Sequence, residues 1–187
     1  MCPPFNQTFA WHRRRRLLRM LAVLTIVFLG ATTWFALEMD DHGPDILELQ
    51  FVRTSDKAEE YSRLPKEWKS DAQASLGIGY GLLVSYGLLL VGLSIAIRDR
   101  SLRKGRLLLA SLGPWVAWAA LGAATYDAVE NALLLLIIDG VTNNPWPAIA
   151  TGCAVAKFSL AGIAVLYAVI GWLRTLGVRP EPSLARS

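Results

Sequence analysis

Four long apolar stretches, separated by short charged segments, dominate the hydrophobic pattern of this chain. They cover about residues 17–37, 72–97, 107–138 and 147–173. Each reaches or exceeds the ~20 residues that a helix needs to cross a bilayer core of ~30 Å. Helices of a soluble α-protein carry polar residues every three or four positions, and these stretches carry only isolated ones. The pattern predicts an all-α fold: a four-transmembrane-helix bundle forming a single membrane domain over residues 1–187. The third stretch is the longest, about 48 Å at 1.5 Å per residue. It must project beyond the bilayer, tilt, or break at "LGPW". Pro114 there lacks an amide hydrogen and favours a kink near residues 109–113.

Composition agrees with a membrane location. Charged residues make up 18% of the chain and hydrophobic residues 53%, where a soluble domain would carry about 25% charge. Arg13, Arg14, Arg15, Arg16 and Arg19 precede or open the first stretch. Arg98, Arg100, Arg103, Lys104 and Arg106 flank the second and third, with Asp99 the acid among them, and Arg174, Arg179 and Arg186 follow the fourth. Residues 38–71 hold ten Asp or Glu against five Lys or Arg. Cytoplasmic flanks are enriched in Lys and Arg. Both termini are therefore expected in the cytoplasm, with 38–71 outside and the chain multi-pass in a plasma (inner) membrane. The net charge of +4 does not suggest nucleic acid, because the basic residues are divided among flanks instead of forming one face. The first stretch has the layout of a signal peptide. It is too long for that role, however, and Trp34 and Phe35 spoil the cleavage pattern, so an uncleaved anchor is expected. Trp34, Trp68, Trp146 and Trp172 fall near stretch ends, where interfacial aromatics belong.

Segment 38–71 is too short for an independent domain and reads as a short helical cap. In "DKAEEYSRL", Asp56 with Glu59 three residues on resembles a capping box. Pro65 suits the first turn of the helix leading into the second span. Ile46, Leu47, Leu49 and Phe51 alternate well enough to pack onto the membrane surface or the bundle top. His42 among Asp40, Asp41 and Asp45 offers metal-ligand atoms, but a lone His beside a Gly-Pro turn reads as a solvated acidic turn. Cys2 and Cys153 cannot form a disulfide framework. Neither a metal nor a cofactor is implied.

The chemistry lies in "ATYDAVENALLLLIID", residues 124–139. Asp127, Glu130 and Asn131 are spaced i, i+3, i+4 and share one helical face. Counted from Asp139, Glu130 is about 13 Å and Asp127 about 18 Å along the helix. Counted from Pro147, Lys157 is about 15 Å along the next helix, which returns through a short loop as an antiparallel neighbour. Opposite charges thus arrive at one depth. Facing lipid there would cost at least a few kcal/mol, so the groups must turn inward, towards each other and towards Tyr126, Tyr80 or water. Two carboxyls against one ammonium call for a proton, Asn131, water or a ligand to compensate the second. Glycines around Tyr80 in "GIGYG" either permit close helix packing through Gly77 and Gly81 or clear space for a ligand. Thr32 and Thr33 are expected to bond back to their own helix.

"DAVENALLLL", with "PWPAIATGCAVAKFSL" after it and "DILELQFVRTSDKAEEY" before, resembles an uncharacterised family of small bacterial four-span integral membrane proteins. The resemblance covers about residues 45–173. Its Asp-x-x-Glu-Asn pattern is matched by Asp127, Glu130 and Asn131, and its fourth-span lysine by Lys157. An acidic residue is frequent there in the second span, where this chain has Gly79, so a site built on that acid would be altered here. The resemblance implies a layout and no activity. The leading expectation is an accessory or scaffold protein held by a buried polar clasp, with the lipid bilayer and a further membrane protein or a second copy as partners. One alternative is a binder or transporter of a small lipophilic or cationic ligand at the acidic site. Another is a lipid-modifying enzyme using Asp127 or Glu130 as a general acid.

Overall fold

The computed structural model describes residues 11–40, 44 and 46–176. The acidic turn around His42, Cys2 and the C-terminal arginines beyond Arg174 lie outside them. Among the described residues six helices follow in order: α1 (Trp11–Asp40), α2 (Ile46–Gln50), α3 (Ser55–Ser62), α4 (Lys66–Arg103), α5 (Leu107–Ile138) and α6 (Trp146–Leu176). No strand occurs among the described residues. α1, α4, α5 and α6 are each long and apolar enough to cross a membrane, and the protein is a multi-pass, all-helical membrane protein. They run alternately up and down. One end of the bundle therefore gathers Arg14, the Arg98–Arg106 turn and Arg174, here called the basic end. The other, the loop end, holds the α1–α4 connection and the α5–α6 loop. Both α4 and α5 exceed the length a core of ~30 Å requires; α4 carries charged ends, Lys66–Asp71 and Arg98–Arg103, that continue the helix past the hydrocarbon, whereas α5 is apolar at both ends.

The core is a three-helix unit of α4, α5 and α6, with α1 laid along α4. Small side chains line the seams: Ala117, Ala120 and Ala123 on α5, Ala154 and Ala164 on α6. In lipid, apolar surface gains little by burial, and close backbone packing through small residues replaces it as the associating force. α1 has Leu21 as its single buried hydrophobic among the described residues and exposes apolar side chains on most of its surface, the signature of a helix surrounded mainly by lipid. It is fixed to α4 by Leu18 over Gly92, Phe28 over Gly81, and an Arg14–Asp99 ion pair of 2.6 Å at the basic end. Thr32 and Thr33 both donate to the Leu29 carbonyl of their own helix.

The glycines of α4 divide by neighbour. Gly81 makes room for Phe28, whereas a side chain at Gly77 would meet open space; only one half of the Gly77/Gly81 pair serves helix packing. At Gly87 a Cβ would come within 2.9 Å of Ala124 Cβ on α5, an atom that cannot move without its helix. Gly87→Ala is expected to force α4 and α5 apart at a cost of about 1–3 kcal/mol, read as a lower thermal midpoint in detergent, with Gly77→Ala melting like the parent.

α5 is helical throughout Leu107–Ile138, with Pro114 inside it. Close by, Gly113 admits Arg98 and Tyr167, and the Tyr167 hydroxyl donates to the Leu109 carbonyl at 2.8 Å. That bond ties α6 to the turn preceding the proline, where the helix is weakest.

At the loop end the α1–α4 connection is packed, not splayed. Leu49, Val52, Ala58 and Tyr61 join Trp68 and Leu76 of α4, Leu134 and Ile138 of α5 and Ala150 of α6 in one apolar cluster. Thr151 donates to the Val52 carbonyl at 3.0 Å, and Gln73 of α4 donates to Asp139 at 3.0 Å. Burial pushes the Tyr61 phenol's pKa up, with Glu48 and Glu60 adding to it. Two expectations are corrected here. Trp68 is not an interfacial anchor: it is fully buried, its indole N–H donates to the Pro44 carbonyl at 3.0 Å, and its ring meets Tyr61. The connection, not the headgroup layer, covers it. The N-cap of α3 is Thr54, whose hydroxyl accepts from the Lys57 amide, while Asp56 sits within the first turn. Glu59 pairs with Arg63 one turn on instead of reaching back to the cap. Pro65 occupies the N-cap position of α4, just before its first turn, without a side-chain capping bond.

Candidate functional site

The site follows from helix register. α5 turns a buried face of Ala120, Ala123, Asp127, Glu130, Asn131 and Leu134 towards its neighbours. α6 answers with Ala150, Ala154, Lys157 and Ala164, also at three-, four- and seven-residue steps. Because the α5–α6 loop is short, Lys157 arrives level with the two acids.

Contacts converge on that level. Lys157 Nζ donates to Asp127 Oδ1 at 2.9 Å and to Glu130 Oε1 at 3.0 Å. Glu130 Oε2 is also 2.9 Å from the ammonium, but off the direction of a hydrogen bond, so it is held by charge alone. The Tyr86 hydroxyl of α4 donates to Asp127 Oδ2 at 3.0 Å. Glu130 has no exposed surface, and Asn131, Lys157 and Asp127 retain only 4%, 7% and 8%. The Lys157 ammonium also lies 4.9 Å from the ring centroid of Phe158, and Phe158 stacks on Phe51 of the α1–α4 connection at 6.3 Å. Three helices therefore build one ion cluster, and Phe51 of the connection meets its outer neighbour Phe158.

Of the sequence-predicted residues, the structure brings Asp127, Glu130 and Lys157 into direct contact. Asn131 is buried on the same face and packs against α4, where a Cβ at Gly79 would lie 3.0 Å from its Nδ2. Gly79 thus supplies the space the amide occupies. Tyr80 and Tyr126 are not brought into the cluster. Tyr80 is partly exposed and donates to the Ala128 carbonyl at 3.3 Å, and Tyr126 is exposed. Sequence reasoning missed Tyr86, which a depth count finds once the register of α4 against α5 is known. Gln73 and Asp139 pair across α4 and α5; Tyr86 lies 13 residues beyond the first and Asp127 12 residues before the second. The depth count that matched Lys157 to the acids selects Tyr86 when applied to the second span.

Chemically the cluster holds two carboxyls, one ammonium and one phenol, with the phenol and ammonium dividing the oxygens of Asp127 between them. Such a network is stable while every member is present and costly once any is removed. Tyr86→Phe leaves Asp127 Oδ2 without its donor in a buried setting, and a loss of about 1.5–3 kcal/mol is expected for a bond to a charged group, seen as a lowered thermal midpoint with the helical content unchanged. No group of three or more His, Cys, Asp or Glu that could hold a metal occurs among the described residues. Compared with known protein families, curated proteins and solved structures, the chain matches none.

Proposed function

We propose that the chain is a small accessory or scaffold protein of a bacterial inner membrane, in which the Asp127–Glu130–Lys157–Tyr86 cluster is a clasp locking α4, α5 and α6 in register. The observation that carries this reading is the set of contacts across helices: Lys157 of α6 reaches both acids of α5, Tyr86 of α4 donates to Asp127, and Asp127, Glu130 and Lys157 are buried. Polar contacts of this kind specify which helix faces meet when apolar surfaces alone cannot. Gathering the arginines of four helix ends at one end supports a cytoplasmic basic end and an external α1–α4 connection. The largely lipid-facing α1 and the resemblance to small four-span proteins suit a partner protein or second copy as client.

A second reading has one specific support. Glu130 Oε2 is buried without an aligned donor, and such an oxygen suits a bound cationic or hydrogen-donating ligand. The experiment that separates the readings is the charge-free triple variant Asp127→Asn, Glu130→Gln, Lys157→Met. A clasp predicts that this variant folds and still complements whatever defect deletion of the gene produces. Folded protein without complementation contradicts the clasp and favours the ligand site, or a lipid-modifying reaction at the acids.

A further inference from the structure

A groove of about 810 Å³ opens between the start of α5 and the end of α6, on the opposite end of the bundle from the connection. Its walls are apolar, from Leu108, Leu112, Ile163 and Leu166 among others, and Arg106 and Arg174 both line it. The lining includes no carboxylate, and neither arginine has an ion pair among the described residues. Leu107 and Leu108 are among the most exposed apolar residues of the protein, at the point where α5 begins. Two residues before Arg174, the exposed Trp172 carries Arg100 over its ring at 5.5 Å. A Trp in that position marks the level where hydrocarbon meets headgroups. The groove therefore runs from the headgroup level into the hydrocarbon, with its cations at the mouth.

We propose that this groove is a binding site for one anionic phospholipid of the leaflet at the basic end. Its phosphate lies between Arg106 and Arg174, and its acyl chains lie along Leu112, Ile163 and Leu166. Basic pockets between membrane helices suit anionic headgroups, and guanidinium groups bind phosphate oxygens in pairs. A zwitterionic lipid brings an amine or quaternary ammonium that this lining gives no carboxylate to meet. The site shares no residue with the Lys157 cluster and does not depend on its role.

The test uses the full chain, delipidated in detergent and observed by native mass spectrometry. Phosphatidylglycerol and phosphatidylcholine of identical chains are titrated separately, with inorganic phosphate as a third arm. The expected result is phosphatidylglycerol binding roughly tenfold or more tighter than phosphatidylcholine, since each arginine near a charged lipid surface adds severalfold. Arg106→Gln with Arg174→Gln should remove that preference while circular dichroism stays unchanged, and Leu112→Trp, which fills the groove, should weaken lipid binding alone. Equal affinity for the two lipids in the parent protein overturns the proposal whether or not the variants fold. So does phosphatidylglycerol binding indifferent to both variants, or phosphate binding that matches the lipid's, which would make it a bare anion site.

Discussion

Lys157→Met is expected to be the most destabilising single substitution in the membrane-embedded part of the protein. It leaves Asp127 and Glu130, 2.9 Å and 3.0 Å from the lost ammonium, buried side by side without a cation. Removing one partner of a buried ion pair costs about 3–5 kcal/mol, and here one removal strands two acids. Against a total stability of about 5–15 kcal/mol, that is a large share of what holds the fold. The measurement is thermal unfolding in detergent together with the yield of monodisperse protein. Adding Asp127→Asn and Glu130→Gln should restore most of the loss, because replacing every member of a buried ionic set is often neutral or better. If Lys157→Met alone melts with the parent, the ammonium is not compensating the acids and the cluster is misassigned.

Trp68→Ala is expected to have the next largest effect, through packing instead of charge. The side chain is fully buried beneath the α1–α4 connection, holds Pro44 through its indole N–H and meets the Tyr61 ring. Truncating a buried Trp costs about 3–5 kcal/mol. Because Leu49, Val52, Ala58 and Tyr61 share its cluster, the loss should release the connection before the long helices separate. Limited proteolysis should then cut between residues 46 and 65 in the variant while the parent resists, and the thermal midpoint should fall. Unchanged protease resistance would mean that the connection is held by something other than Trp68.

The four long helices were legible because uninterrupted apolar length is a strong signal and lipid leaves few alternatives to helix. The contact of Asp127 and Glu130 with Lys157 was legible for a narrower reason. A short loop fixes the register of α5 against α6, so counting residues from both sides is enough. The α4 partner of Asp127 was less legible although the turn from α4 to α5 is short, because Tyr80 and Tyr86 lie on the same helix and the glycines beside Tyr80 make it the one with room for a ligand. Trp68 was misplaced because a Trp at the end of an apolar stretch looks alike whether headgroups or a folded connection covers it. The unequal standing of α1 was hidden for a related reason. A helix apolar on all sides reads the same whether it faces protein or lipid, and the contacts of Leu18 and Phe28 with Gly92 and Gly81, together with the Arg14–Asp99 pair, show which side of it meets α4.

The central claim is that the Lys157 ammonium sits between the carboxyls of Asp127 and Glu130 inside the membrane. Dipolar recoupling between ¹⁵N-labelled lysine side chains and ¹³C-labelled carboxyls, on protein reconstituted in lipid, measures this directly. The account predicts a Lys157 resonance in ion-pair contact, within about 4 Å, with both carboxyl carbons, and its disappearance in the triple neutral variant. A Lys157 signal with no carboxyl within about 6 Å, the reach of a direct charge interaction, would contradict it.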